Sequence, residues 1–362
     1  MIELLKKILK MFTDDVRVQK RGFFTTFFKT TEEDYTDSEY VDIDIERTGD
    51  QVAPVLKDHR TGGTIIDDDV FTEKKFKPPF TCLQRPVPLY ELMQRQPGES
   101  DAADVRGNWF GRLVTKIVKA LSKMHRMCKE QVELQAAQVM QTGTVSLADE
   151  SGNVVYDLDF NMKASHKPTV AVSWGAAGAT PLSDIESLCD AINDDGKADP
   201  SIAVFGKNAW NAALKNDEFK DMVKRDGLNL GQLSPALKDH GGRYMGYIDV
   251  GSYRLELWVY NDSYEKLKDG ARVKFMDPDK VIITAAIEDL DFRLVFGGIP
   301  TLGMKEPFRS VVPDAVKYEG FIKVQNRVFS DESSDTYTAE AKMRALAIPV
   351  SIDRFGCLKT TA

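Results

Sequence analysis

Residues able to do chemistry are present in this chain but are badly spaced for it. His59, His125, His166 and His240 are scattered, with no ligand spacing among them, so each reads as a general-purpose polar residue. Asn193-Asp194-Asp195-Gly196 has the outline of a calcium loop. The alternate-position acids and the closing glutamate are missing, so a helix-terminating turn is the better reading. Glu288, Asp289 and Asp291 have the chemistry of paired acid–base carboxylates, yet a solvated strand end is the better reading. No dinucleotide fingerprint, Walker loop, nucleophile elbow or zincin helix occurs. Gly175 and Gly178, like Gly241, Gly242 and Gly246, do not place a phosphate cradle between strand and helix. Cys82, Cys128, Cys189 and Cys357 stand far apart, fitting neither a disulfide framework nor a zinc site, and suit a reducing compartment. No catalytic, cofactor-binding or metal residue is therefore assigned, and no enzyme is expected.

Elements, rather than reactive groups, carry the information. MIELLKKILKMF repeats Ile2, Leu5, Leu9 and Phe12 at helical spacing with lysines between. It lacks the apolar core and cleavage site of a signal peptide, and an arm docking on protein is preferred to a membrane-surface helix. Phe23, Phe24, Phe27 and Phe28 need a hydrophobic socket that their polar neighbours cannot supply. Val41, Ile43 and Ile45 alternate with Asp42, Asp44 and Glu46 in a half-exposed strand. Val52-Ala53-Pro54-Val55 and the Gly62-Gly63 turn follow, then an extended run through Phe71, Phe76 and Phe80. Pro54, Pro78, Pro79, Pro86 and Pro88 exclude helix and confine any sheet to edges. This predicts a two-stranded loop, marginal alone in water. Asp67, Asp68 and Asp69 precede Lys74, Lys75 and Lys77 on one limb, a solvated face or a complement to another copy. Residues 1–98 are thus expected to find their core in neighbouring subunits.

A long helix is predicted over Asn108–Gln141, extending roughly 50 Å at about 1.5 Å per residue. Ser100 with Asp101 and Asp104, or Asn108, offers its N-cap, and Gly143 its C-terminal stop. Phe110, Val114, Ile117, Leu121, Met124, Cys128, Val132 and Val139 share one face, which predicts a spine packed on a single body. Arg112, Lys116, Lys119, Lys123 and Arg126 line the other face. A solvated or subunit-contacting face is preferred to nucleic-acid binding, because no aromatic residues are interleaved. Val145 to Phe160 reads as a hairpin around Glu150-Ser151-Gly152-Asn153. Gly175, Gly178 and Pro181 mark a boundary.

Beyond it an α/β segment is expected. Ser183 and Glu186 have capping-box spacing before Ile185, Leu188 and Ile192, and Asn208 is a candidate cap for a short helix through Trp210 and Leu214. Strands are predicted at Ile202–Phe205, Leu255–Val259, Val281–Ile283 and Phe292–Phe296. Late strands at Phe321–Val328 and Tyr337–Ile348 must return to earlier sheets.

The 362 residues, 42% of them hydrophobic, suffice for two or three domains with a sizeable core. A net charge of −8 argues against a dedicated nucleic-acid reader. No apolar run reaches the roughly 18 residues of a membrane span.

The order of these parts resembles the phage lambda-type major capsid proteins, the major capsid protein E family. The resemblance rests on the Phe-rich arm, Val52-Ala53-Pro54 with Gly62-Gly63, and Phe76-Lys77-Pro78-Pro79-Phe80. It continues through the long helix with Glu133, Gln135 and Ala136, Pro200–Trp210, Leu255–Tyr260 and Ala345–Pro349. It implies an α+β tailed-phage major capsid fold: an N-terminal arm (1–38), an extended β-hairpin loop (39–90), and a peripheral domain (91–180) with the spine helix (108–141). An axial α/β domain (181–300) and returning strands (301–362) complete it. It further implies a virion shell subunit without cofactor, assembled in the host cytoplasm from hexamers and pentamers around double-stranded DNA. A portal occupies one vertex, and a decoration protein and a scaffold are further partners. A cargo-enclosing bacterial shell of the same fold, or an α/β enzyme over 183–300, are the alternatives. The Lys-rich N-terminus departs from the lambda protein, and no residue match supports lysine–asparagine crosslinking.

Overall fold

The computed structural model describes residues 22–36, 38, 40–46, 71–93, 109–149, 151–223, 241–267, 269–299, 324–331 and 335–362. The N-terminal lysine-rich segment, Val52–Val55, Gly62-Gly63, and the cap candidates Ser100, Asp101, Asp104 and Asn108 lie outside them, as do His59 and His240.

One strand organises the first sheet. β14 (Thr336–Pro349) is 14 residues long, and its first part is flanked by β3 (Phe80–Pro88) and β13 (Gln325–Asp331). Its last part pairs with β12 (Phe292–Phe296). All these pairings are antiparallel, and the late strands return to an earlier sheet as expected. Pro86 and Pro88 fall in β3, whose only strand partner among the described residues is β14, in keeping with the confinement of proline to edges.

The second sheet has the order β15-β11-β6-β8-β7. Its strands are Phe355–Lys359 (β15), Lys280–Ala285 (β11), Pro200–Phe205 (β6), Tyr253–Val259 (β8) and Arg243–Val250 (β7). Only β6 and β8 run parallel. Both faces are buried, which is why β6 and β11 read as unbroken apolar runs rather than alternating ones. Ile202, Val204 and Ile282 enter one core, and Ala203, Phe205, Val281 and Ile283 enter the other.

The second core is closed by α3 (Pro181–Gly196), α4 (Lys207–Ala213) and α5 (Asp217–Met222). Ile185, Leu188 and Ile192 of α3 are fully or almost fully buried there, with Trp210 and Phe219 edge-on to Phe205. Two expected caps differ. α3 starts at Pro181 after Thr180, because proline at the first turn lacks an N–H that would need a partner, so Ser183 sits inside the helix. Gly206 precedes α4, and Asn208 is its second residue. The strand Phe292–Phe296 joins the first sheet, not the second.

The long helix α2 spans Trp109–Thr142, and Gly143, at φ +69°, ends it with its N–H on the Val139 carbonyl. The single-body expectation is corrected. Leu113, Val118, Ala120, Ser122, His125, Gln135, Ala137 and Met140 are buried as well as the predicted stripe from Val114 to Val139, leaving Lys119, Lys123, Arg126 and Glu130 as the exposed line among its described side chains. α2 packs on β14, on the arm and on β15, so it lies within the main core. β4 (Thr144–Ala148) and β5 (Val154–Asp159) form the expected hairpin behind it.

The largest correction concerns the first 98 residues. Phe23, Phe24, Phe27 and Phe28 are each 0% exposed inside this chain, in and around a 3-10 turn at Phe24–Phe27. Val41, Phe76, Val87 and Leu92 are also buried. The predicted second limb is divided at Lys77-Pro78-Pro79: β2 (Phe71–Phe76) pairs with β1 (Val41–Glu46), and β3 leaves for β14.

Candidate assembly surface

The arm is anchored from α2. Glu133 is buried, and its carboxylate accepts from Phe24 N at 2.8 Å, Thr25 N at 3.0 Å, Thr25 Oγ1 at 2.5 Å and the Tyr260 hydroxyl at 3.2 Å. The two backbone donors open the 3-10 turn, so a side chain over 100 residues away does the work of an N-cap. Burial pushes the Glu133 carboxyl above the ordinary range, offset in part by these donors, and burial raises Tyr260 strongly as well. Phe23 stacks on Tyr260 at 4.8 Å and lies beside Trp258, while Phe28 meets Phe292 at 5.1 Å. Gly242 leaves room for the Phe23 ring, which a Cβ there would strike. Lys29 N then donates to the Phe292 carbonyl and its own carbonyl accepts from Leu294 N, and Thr36 N reaches Phe296 O, so the arm covers the edge of β12. The socket predicted in a neighbour is therefore intramolecular, supplied by β8, β12 and α2.

The basic stripe divides into two parts. Arg112 is buried and donates to the Leu92 carbonyl at 3.4 Å. Lys116 donates to the Glu91 carbonyl at 3.0 Å and pairs with its carboxylate at 3.5 Å. Both side chains hold α1 (Leu89–Met93) against α2, a structural task within the chain. Lys119, Lys123 and Arg126 are exposed, and no salt bridge ties Lys119 or Lys123 to a carboxylate among the described residues.

The β1–β2 ribbon pairs with no other strand among the described residues. Its register sets Asp42 against Lys75, Ile43 against Lys74 and Asp44 against Glu73. Lys77 is exposed, its ammonium 5.8 Å from the centre of the Tyr40 ring. Asp67, Asp68 and Asp69 lie outside the described residues. Other exposed apolar side chains are Tyr90 at 73% and, on the β4–β5 hairpin, Val154 and Val155 at 61% and 68%.

The titratable residues are occupied structurally. His125 is buried with Nε2 at 3.0 Å from Asn326 Oδ1, and burial lowers its pKa to about 4. His166 bridges the Phe355 carbonyl at 2.8 Å and Asp195 at 3.0 Å, and Asp195 also takes Lys163 at 2.7 Å. Asp195 lies in the last turn of α3, where Asn193–Gly196 bring the helix to its end before Lys197. Burial pushes Cys128, Cys189 and Cys357 to about 12, the reverse of a reactive thiol. Among the described residues no group of three or more His, Cys, Asp or Glu is placed to hold a metal ion, and no helix is long and apolar enough to cross a membrane.

A long helix within the main core, an arm sealed onto it and a two-stranded ribbon outside both larger sheets frame the described residues. The chain belongs to the family described as Phage major capsid protein E, whose profile matches residues 4–307. It is a structural capsid shell protein and not an enzyme. Among solved structures it is similar to a protein assigned as the capsid protein of an E. coli CFT073 prophage. The TM-score is 0.63 at 18% identity over 98% of each chain, a likeness that establishes the fold alone. A gene-transfer-agent (GTA) capsid chain gives 0.45 at 12% identity over 95% and 92%, and the SrpI encapsulin of Synechococcus elongatus PCC 7942 gives 0.41 at 9% over 90% and 84%. Among curated proteins none matches the sequence. Sequence reasoning missed Glu133 as the anchor of the arm. The signal available was a lone carboxylate in an otherwise uncharged stretch, Gln131 to Ala148.

Proposed function

We propose that this chain assembles as hexamers and pentamers into the icosahedral head of a phage, enclosing double-stranded DNA. Assembly takes place in the host cytoplasm. A portal replaces one pentamer, a decoration protein and a scaffold act as further partners, and contact of the inner wall with DNA is non-specific. The observation that carries this reading is the β1–β2 ribbon, which has strand partners only within itself among the described residues. A two-stranded ribbon is marginal in water and gains stability by lying on another surface. A projecting element and a separate receiving surface make a heterologous contact, the kind that closes rings. In this reading Lys74, Lys75 and Lys77, with Asp67, Asp68 and Asp69, set the ribbon's register on the next copy, and Lys119, Lys123 and Arg126 form part of a receiving face.

Electron microscopy of the purified protein tests it. Five- and six-membered rings or closed shells are expected. A discrete dimer with no higher assembly refutes the proposal, and shells isolated with an enclosed enzyme instead of DNA would transfer the chain to the cargo-enclosing class.

A further inference from the structure

The exposed line of α2 carries a sign pattern. Lys119, Lys123, Arg126 and Glu130 step by four, three and four and are the exposed side chains among those described on the helix. The outer face of α3 bears the opposite pattern. Glu186, Asp190 and Asp194 are all exposed at successive turns, and the exposed Lys197 follows at the end of the helix. Both series cover eleven residue steps, so +, +, +, − and −, −, −, + have nearly matched lengths of about 16 Å when the helices run parallel. No lysine or arginine forms a salt bridge with Glu186, Asp190 or Asp194 among the described residues. Asp190 takes only the Tyr253 hydroxyl, at 2.9 Å. Among the described residues no salt bridge joins Lys119, Lys123 or Arg126 to Glu186, Asp190 or Asp194, so the two rows do not pair within the single chain.

We propose that the open face of α2 docks against the outer face of α3 of a second copy, with Lys119, Lys123, Arg126 and Glu130 opposite Glu186, Asp190, Asp194 and Lys197. The proposal rests on the self-assembly reading above and adds a specific pair of surfaces to it. The contact is heterologous, since the two faces belong to different helices, and it therefore extends around a ring instead of closing a dimer. Exposed ion pairs are individually weak, so the row acts chiefly through register and rejection of misaligned neighbours. DNA is the less suitable occupant of the α2 line. The row ends in a glutamate, no aromatic residues are interleaved, and the chain as a whole carries −8.

Charge reversal tests the pairing. Lys119→Glu with Lys123→Glu, and separately Glu186→Lys with Asp194→Lys, should each lower the yield of rings or shells about tenfold, with the melting temperature of the unassembled protein unchanged. The four substitutions together should restore most of that yield. Normal assembly of either double variant, or no recovery in the quadruple variant, overturns the pairing. Lys119→Gln with Lys123→Gln gives a second reading that introduces no repulsion. It should flatten the salt dependence of assembly, and an unchanged salt dependence counts against the proposal. A wild-type protein that never assembles at any salt concentration removes the self-assembly reading and the pairing together, whereas an assembling wild type with an unrescued quadruple variant removes the pairing alone. Should the lysine-to-glutamate variant form normal shells yet lose binding to a short DNA duplex, the α2 line belongs to nucleic acid and the pairing is wrong.

Discussion

At the residue scale, the buried polar groups of this protein fasten elements together. Glu133 is the clearest case, with two backbone N–H groups, a hydroxyl and a phenol converging on one carboxylate. His125 of α2 faces β13 in a buried site, bonded to Asn326. Its pKa falls from 6.5 to about 4 because burial penalises the imidazolium. The unfolded chain therefore binds a proton that the folded chain refuses between those values. Stability is unaffected above pH 6.5 and declines as pH falls toward 4, by up to about 3 kcal/mol from this group. Urea unfolding from pH 7 to 4 should show that decline, and His125→Gln should reduce its slope. An identical slope in the variant would mean that His125 is not held neutral.

At the scale of elements, the arm and the long helix exchange the roles their sequences suggest. The arm looks self-insufficient, and by itself it is. Its four phenyl rings are nonetheless buried against Trp258, Tyr260, Phe292 and α2 of the same chain. Truncating a buried phenylalanine costs about 3–5 kcal/mol. Phe24→Ala and Phe28→Ala should each lose stability on that scale in urea unfolding of the unassembled subunit. Unchanged subunit stability with failed assembly would return the socket to a neighbouring copy. The helix, in turn, reads as one apolar stripe with a basic back. Arg112 and Lys116 on that back are drawn inward by the carbonyls and carboxylate of α1, and only the three cations after them stay open.

At the scale of the molecule, the long second-sheet core and the helix-centred core share strands, and the ribbon is the part that reaches away from strand pairing. β1 and β2 are joined in register from Val41–Phe76 to Glu46–Phe71. Residues 47–70 can therefore be replaced by a two-residue Asn-Gly turn across Glu46 and Phe71 without disturbing that register. The replacement should leave circular dichroism and melting temperature of the subunit near wild type while abolishing shells in electron micrographs. Normal shells from it would show that this segment contributes nothing to assembly.

Much of the architecture was legible in local patterns. The α2 helix, the β4–β5 hairpin and strands β6, β8 and β11 of the second sheet follow from periodicity and turn residues, short-range properties of the chain, while β7 and β15 were not foreseen and the class of fold came from the resemblance in the order of parts. The search for catalytic spacing also ended in the right class, because motif spacing is itself local. What the tertiary structure alone decided is where surfaces find their partners. Nothing local distinguishes a phenylalanine cluster buried against its own strand at Phe292 from one buried in a neighbour, or Lys116 bonded to Glu91 from Lys119 left in water. Burial and ion pairing are set by residues tens to hundreds of positions away. A helix's exposed line becomes visible only once every other side of it has been covered.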